Sequence, residues 1–285
     1  MLVPQSNGPS RAIERNTILI DFLAAHATSI QPALFGLTIV ACFVFEDRLL
    51  SHDRERTFRR AWTNGSFAAL VLPVQAVMAI FCLFLARWAS ARHWGLVHWL
   101  PGGESPWIKY GLMFVLLDFL DWVYHYAMHR VPLFWRFHLV HHTDQAIDVS
   151  TTVREHPGET VVRNGFLMLW VLLCGASMEV LVLRQTVETV ANILAHTSFR
   201  LNAKSARVLG WVLITPNLHH VHHHARLPYT NSNYGDVFSV WDRLFRTFRN
   251  LSEADTEAGL DTHPSAGSDH GFRQALAMPF VTRQS

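Results

Sequence analysis

The sequence predicts an all-α protein, a multi-pass membrane helical bundle whose cytoplasmic cap is rich in histidine. Three observations carry that prediction. Half of the 285 residues are hydrophobic and only 16% are charged, against roughly a quarter in an average soluble domain, and the mean hydropathy is +0.15. Two long runs lack any charged residue. Eighteen histidines, nearly as many as the 22 acidic residues, concentrate in three short stretches. A net charge of +2 gives no footprint for nucleic acid. Cys42, Cys82 and Cys174 all sit in apolar runs, so no disulfide scaffold is implied.

The elements follow in chain order. The N-terminal MLVPQSNGPSRAIER is polar and lacks the layout of a secretory signal, so the first apolar run is expected to persist as an anchor. That run, Phe22 to Phe45, and a second of 21 residues, Ser66 to Ala86, are free of charge and long enough to span a bilayer. The loop between them holds Arg48, Arg54, Arg56, Arg59 and Arg60, whereas the following loop holds only Arg87, Arg92 and Lys109. Positive residues mark the cytoplasmic side, so the first loop is expected there. A third crossing near Lys109 to His125 then returns the chain to that face. Gly111 to Leu120 and Phe166 to Leu183 are interrupted or bounded by Asp118, Asp121, Glu179 and Arg184. They read as helices packed within the bundle, where such charges find partners. This divides the chain into an N-terminal membrane anchor (1–108), a catalytic domain (109–248) and a polar C-terminal tail (249–285). Within the tail, Ser252 to Ser268 reads as loose surface chain, and FRQALAMPF beyond it is expected to dock back on the body.

The chemistry lies in the histidines. His125-Tyr-Ala-Met-His129, His138-Leu-Val-His141-His142 and His219-His-Val-His222-His223 repeat the spacings i, i+3 and i+4, which share one helix face. Imidazole is the commonest protein ligand for iron, zinc and copper. Eight convergent rings exceed what one ion can use, which predicts two neighbouring metals. The third cluster is ambiguous, because His220, His223 and His224 have the same spacing. The Glu-x-x-His signature of carboxylate-bridged bundles, the zinc-protease HExxH and Gly-rich phosphate loops are all missing. Carboxylates that could orient the rings are at hand: Asp118 and Asp121 precede His125 by about two and one helical turns. Asp144, Asp148, Glu155, Glu159, Asp236 and Asp242 follow the clusters.

HxxxH, HxxHH and HxxHH set among membrane helices resemble the fatty acid hydroxylase/sterol desaturase superfamily. The flanks agree: Trp135-Arg-Phe-His138, Arg154-Glu-His156-Pro157, Thr215-Pro216, Asn231-Ser-Asn233-Tyr234-Gly235 and Trp241-Asp242-Arg243-Leu244-Phe245. The resemblance implies a membrane-bound di-iron oxygenase with a cytoplasmic active site, holding two Fe for which zinc can substitute in purified protein. It implies hydroxylation or desaturation of a C–H bond of a membrane lipid with dioxygen. The superfamily's substrates span sterols, fatty acids, ether lipids and carotenoids. No nucleotide or flavin motif occurs here, so electrons must come from a separate donor protein; nucleic acid is no partner. The family spacing selects His219, His222 and His223 and leaves His220 and His224 as flanking residues. It adds His196 to the metal ligands His125, His129, His138, His141 and His142. Some members carry His where this chain has Asn192, which leaves that metal one imidazole fewer or a water. His156, Asn192, Asp118, Asp121 and Asp236 are the further candidates for metal contact or ring support, though a His-Pro turn such as that at His156 is often structural. His26, His52, His93, His98, His263 and His270 read as non-catalytic.

About 13 residues separate Leu183 from His196, too few for a second crossing. Phe166 to Leu183 and Arg184 to His196 are therefore expected to form a partly embedded hairpin or tilted pair, walling a lipid-facing substrate cavity. Two other readings compete. A metal transporter would place its ligands midway along the spans, whereas here the clusters follow them. A haem protein needs single facing histidines and gives no reason for HxxHH.

Overall fold

A computed structural model describes residues 35–48, 53–103, 105–263 and 271–281. The chain divides into two compact units, Met1–Ala41 and Cys42–Ser285, and every histidine of the three clusters belongs to the second. Among the described residues the regular structure is helical, with only two isolated antiparallel bridges, Leu213 to Phe238 and His224 to Ala258. Of the first expected span, Phe22 to Phe45, the portion before residue 35 lies outside the described residues. The remainder belongs to helix α1, residues 35–48.

Helix α2, Arg54–Ala91, starts at Asp53, whose side chain accepts a hydrogen bond from the Arg56 amide at 3.0 Å. It contains the second expected span. Its Leu72, Val77, Ile80, Phe81 and Phe84 are each more than half exposed. Among the described residues this is the one stretch long and apolar enough to cross a membrane; the further expected crossings do not meet that standard.

A short α3, Leu96–Trp99, and a π-helical turn, Trp107–Leu112, lead into α4, Met113–Arg130. Helix α5, Pro132–His142, follows directly, with Pro132 in the first turn, where its missing N–H leaves no gap. Helices α6, Pro157–Cys174, and α7, Met178–His196, are joined by Gly175 to Ser177. Gly175 takes φ +69°, and a Cβ there would lie 2.2 Å from the Trp94 carbonyl oxygen. Only glycine lets the end of α6 press against the chain leaving α2. Of the two expected arrangements, hairpin or tilted pair, the contacts favour two helices that diverge from a shared turn. Helix α6 packs chiefly along α2, and α7 packs on α4, the Val149–Val153 turn and α9. One apolar core joins α4, α6 and α7 through Met113, Leu117, Trp170, Val171 and Val180.

Short helices α8, Ala203–Leu209, α9, Pro216–His222, and α10, Val240–Leu244, complete the histidine-bearing region. The C-terminal α11, Phe272–Ala277, docks back as expected: Phe272 meets Phe67 of α2 edge-on at 4.9 Å, beside Leu139 and Val140 of α5. The polar stretch before it departs from its expectation up to residue 263. Ala225 donates to the Glu257 carbonyl at 2.7 Å, and Gly259 and Asp261 donate to the carbonyls of His223 and Ala225. Backbone pairing, which composition does not reveal, fixes that segment.

Candidate metal centre

The three clusters sit on α4, α5 and α9, and the spacing within each decides where its rings go. In α5, His138 and His142 are separated by four residues and lie about 40° apart around the helix, while His141 points to the other side. In α9 the arrangement is mirrored: His219 pairs with His223 at its C-terminus, and His222 points away. The result is two groups whose ligating atoms all lie within 4.8 Å of one another: His125, His129, His138, His142 and His222 in one, and His141, His196, His219 and His223 in the other. The groups abut, with His142 4.6 Å from His222 and 4.5 Å from His223 between ring centroids.

Six of the nine rings are aimed by a partner on their outer side, whereas Nδ1 of His142, His219 and His223 is buried without one. Nδ1 of His125 donates to the Tyr234 carbonyl at 2.9 Å, that of His222 to the Ser232 carbonyl at 2.7 Å, and that of His138 to the Glu159 carboxylate at 2.7 Å. Nδ1 of His129 donates to the Asn231 side chain at 3.2 Å. In the second group, His141 donates to the Arg154 carbonyl at 3.2 Å and His196 to the Asn192 carbonyl at 2.8 Å. Burial, reinforced for most by the neighbouring imidazoles, holds His129, His141, His142, His219 and His223 well below the usual range. Burial also pushes His222 down to about 3 and His196 to about 4. These imidazoles are neutral near pH 7 and carry one proton each.

That proton count decides the chemistry. Where Nδ1 donates, Nε2 is a bare lone pair. Nε2 of His141 faces Nε2 of His196 at 3.2 Å, and that of His125 faces that of His138 at 3.2 Å. Two facing lone pairs repel unless a cation lies between them. Two nitrogens bound to one ion at about 2.1 Å, with angles between 90° and 109°, are separated by about 3.0–3.4 Å. The donor set therefore fits metal in both groups. Nε2 of His129 and His222 is also buried without a hydrogen-bond partner, which in native proteins marks an absent water or ion.

The remaining candidates fall elsewhere. Nδ1 of His156 accepts from the Gly158 amide at 2.9 Å and caps α6, with its ring stacked on Phe137. Asn192 offers its carbonyl to His196. Asp118 accepts from the Trp241 indole at 2.7 Å and the Val237 amide at 3.1 Å. Asp121 pairs with Arg184 at 2.6 Å and groups with Glu188 and Asp236. None of these three acids is hydrogen-bonded to a ring of either group; they tie α4, α7 and the 236–242 segment together. His220 donates to the Thr197 carbonyl, and His224 to that of Asp255. Of the third cluster, His219, His222 and His223 are the rings that join the two groups.

A polar layer from α2 supports the second group. Asn64 donates to Asp144 and Ser150 at 3.0 Å each, and Arg60 pairs with Asp144 and Asp148. Arg154 donates to Asn64, to Thr143 and to the Val140 carbonyl. Burial would raise the Asp144 pKa, but the Arg60 and Arg154 guanidinia outweigh it and hold the carboxyl below its usual range.

Residues 110–247 match the fatty acid hydroxylase family model. Over that segment, just under half of its length, the chain is similar to the fatty acid hydroxylase family. That segment contains all nine rings of the two groups. Alkylglycerol monooxygenase of Caenorhabditis elegans is 29% identical over 174 residues, 60% of this chain and 32% of that protein. Ornithine lipid hydroxylase OlsE of Rhizobium tropici is 27% identical over 251 residues, 86% of this chain and 74% of its own. Human cholesterol 25-hydroxylase is 26% identical over 181 residues, 62% and 64%. The chain thus aligns with about a third of the worm monooxygenase. No solved structure matches it.

Among the partners that aim the rings, Tyr234, Ser232 and Arg154 act through backbone carbonyls. Their roles were hidden because any residue type supplies a carbonyl; the only trace was their place in the quoted flanking motifs.

Proposed function

We propose that this chain is a membrane-embedded di-iron hydroxylase that inserts oxygen from dioxygen into a C–H bond of a lipid. The observation that carries it is the pair of abutting ring groups with buried imidazole lone pairs turned inward. His125, His129, His138, His142 and His222 would hold one iron, and His141, His196, His219 and His223 the other. When bound, the irons supply dioxygen activation. The four-ring group leaves room for one more small ligand, since the Asn192 position offers only its carbonyl to His196.

The chain's own contribution is orientation and exclusion. Glu159, Asn231 and the carbonyls of Tyr234, Ser232, Arg154 and Asn192 fix which nitrogen faces inward in six of the rings. Asp242 fixes the Tyr234 carbonyl in turn, accepting from the Tyr234 and Gly235 amides at 2.8 and 3.0 Å and from the Trp122 indole at 3.0 Å. Burial of eight of the nine rings, with His141 half-buried, limits the access of bulk water to the reacting atoms.

A bilayer setting is supported by α2. Trp62 and Trp88, both exposed, are 26 positions apart, or about 39 Å along a helix, close to the ~40–45 Å between the two interfacial layers of a bilayer. Indole rings favour that depth. Within this reading, residues 1–108 form the anchor, residues 109–248 the catalytic domain, and the arginine-rich end of α2 faces the cytoplasm. The lipid enters from the bilayer side, and the relatives named as hydroxylases and monooxygenases favour an alcohol product over an alkene.

The test is comparative lipid mass spectrometry of a lipid-rich host expressing the wild-type chain or His142→Ala, with iron analysis of both proteins. The expected result is a lipid heavier by one oxygen in the wild type alone and two irons per wild-type chain. A metal-free wild-type protein, or the same product from His142→Ala, would overturn the proposal.

A further inference from the structure

We infer that the arginine-lined recess behind His129 is where an acidic one-electron carrier protein docks to deliver electrons to the site. This rests on the oxygenase reading above. The recess measures about 230 Å³ and is lined by Arg130, Arg246, Arg249, Asn231, Leu227 and Pro228 among others. Three guanidinium groups converge there and no carboxylate lines it. Arg130 ends α4, directly after His129. Arg246 sits at φ +62°, just beyond α10, in the left-handed region where helix-terminating positions favour glycine. A bulky side chain held there carries conformational strain, and strain of this kind collects where a side chain is needed in place.

The position of the recess relative to the rings distinguishes a carrier from a substrate. Asn231 lines the recess and accepts the Nδ1 proton of His129, while Nε2 of the same ring is turned into the five-ring group. The recess therefore lies on the outer side of a ligand. A substrate must reach the open side of the metals, whereas an electron can enter through the back of a ligand along the Asn231 to His129 hydrogen bond. Apolar surface lies beside these cations: Leu227, in the lining, is about two-thirds exposed. Charge complementarity to such a patch steers and orients an acidic partner. The partner's chemistry follows from the charge: a carrier with a carboxylate-rich face around an iron–sulfur or b-type haem group. Each docking oxidises one carrier and reduces the iron centre by one electron. Two electrons, two protons and one dioxygen then convert C–H to C–OH and release one water.

The experiment measures binding. The full chain in phosphatidylcholine nanodiscs is titrated with plant-type ferredoxin and with a soluble b-type haem domain, at low and high salt, beside the triple variant Arg130→Glu, Arg246→Glu, Arg249→Glu. Binding to at least one carrier is expected, weakened by about tenfold or more in the variant and by salt. The neutral variant Arg130→Gln, Arg246→Gln, Arg249→Gln should fall between, and it replaces the charge reversal if that protein does not fold. Three results would overturn the inference. The variants bind as well as wild type; or neither carrier binds wild type; or only stabilisation by phosphatidylserine nanodiscs is lost while carrier binding persists, which makes the recess a lipid-headgroup site. Iron analysis separates the two proposals: a metal-free chain that still docks the carrier sinks the oxygenase alone, and an iron-loaded chain that does not dock sinks the docking alone.

Discussion

At the scale of single residues, the centre depends on which nitrogen carries the proton. Glu159 illustrates it, since its carboxylate alone determines that His138 turns Nε2 inward. Glu159→Ala should lower metal affinity or turnover by about 10–100-fold, the usual effect of losing a ligand's outer partner. Glu159→Gln, whose amide oxygen still accepts, should lose less; equal losses in metal content and rate for both would refute this. Protons act through the same rings. An unfolded imidazole titrates near ~6.5, whereas folding pushes His222 to about 3 and His196 to about 4. Between those limits the unfolded chain binds protons that the folded chain refuses, so stability is full above about pH 7 and falls as the pH drops. Each ring contributes up to about 1.4 kcal/mol per pH unit across that window. Melting temperatures of metal-free protein should therefore fall between pH 7 and pH 5, and a flat profile would show the rings are not held neutral.

Among the elements, α2 does more than cross a bilayer. Its first turns carry Arg60 and Asn64 into the 143–154 segment, where they brace Arg154, whose carbonyl aims His141. Arg60→Ala leaves Asp144 and Asp148 buried without their shared cation, a change expected to cost about 3–5 kcal/mol. Chemical denaturation in detergent should show it, together with loss of metal from the four-ring group. A drop under about 1 kcal/mol would mean that α2 is only an anchor. The helix-level reading of the sequence succeeded where chemistry repeats locally. The i, i+3 and i+4 spacings already placed the rings on shared faces. It failed where partners are distant in sequence: Arg60 and Asp144 are 84 positions apart, and nothing local pairs them. Asp118 and Asp121 misled for the opposite reason. Their helical phase near His125 suggested ring support, but Asp121 pairs with Arg184 of α7 and Asp118 accepts from the Trp241 indole and the Val237 amide, and burial favours neutralising or hydrogen-bonding a carboxylate over leaving it alone.

For the molecule as a whole, a bilayer and metals would supply what the chain lacks on its own. Among the described residues the apolar side of α2 is exposed, and the ring groups hold lone pairs against one another. Removing metal with a chelator should therefore lower the melting temperature well beyond the effect on a surface-bound ion, because binding free energy adds directly to folding free energy. Restoring iron or zinc should recover it, and an unchanged melting temperature would show that the rings tolerate an empty centre. Composition made the helical fold and one long apolar helix legible. It could not reveal the pinning of residues 252–263 by backbone bonds, which are blind to side-chain type.

The split of each HxxHH triplet between the two groups has a consequence for assembly. Helices α5 and α9 each contribute rings to both groups, so under the proposed two-ion reading seating the first ion would freeze the backbone turns that present the second. Loading is then expected to be all-or-none: at half an equivalent of iron, native mass spectrometry should find empty and doubly occupied molecules in preference to singly occupied ones. One inserted residue in either turn, swinging the ring after it by about 100°, would disable both seats at once.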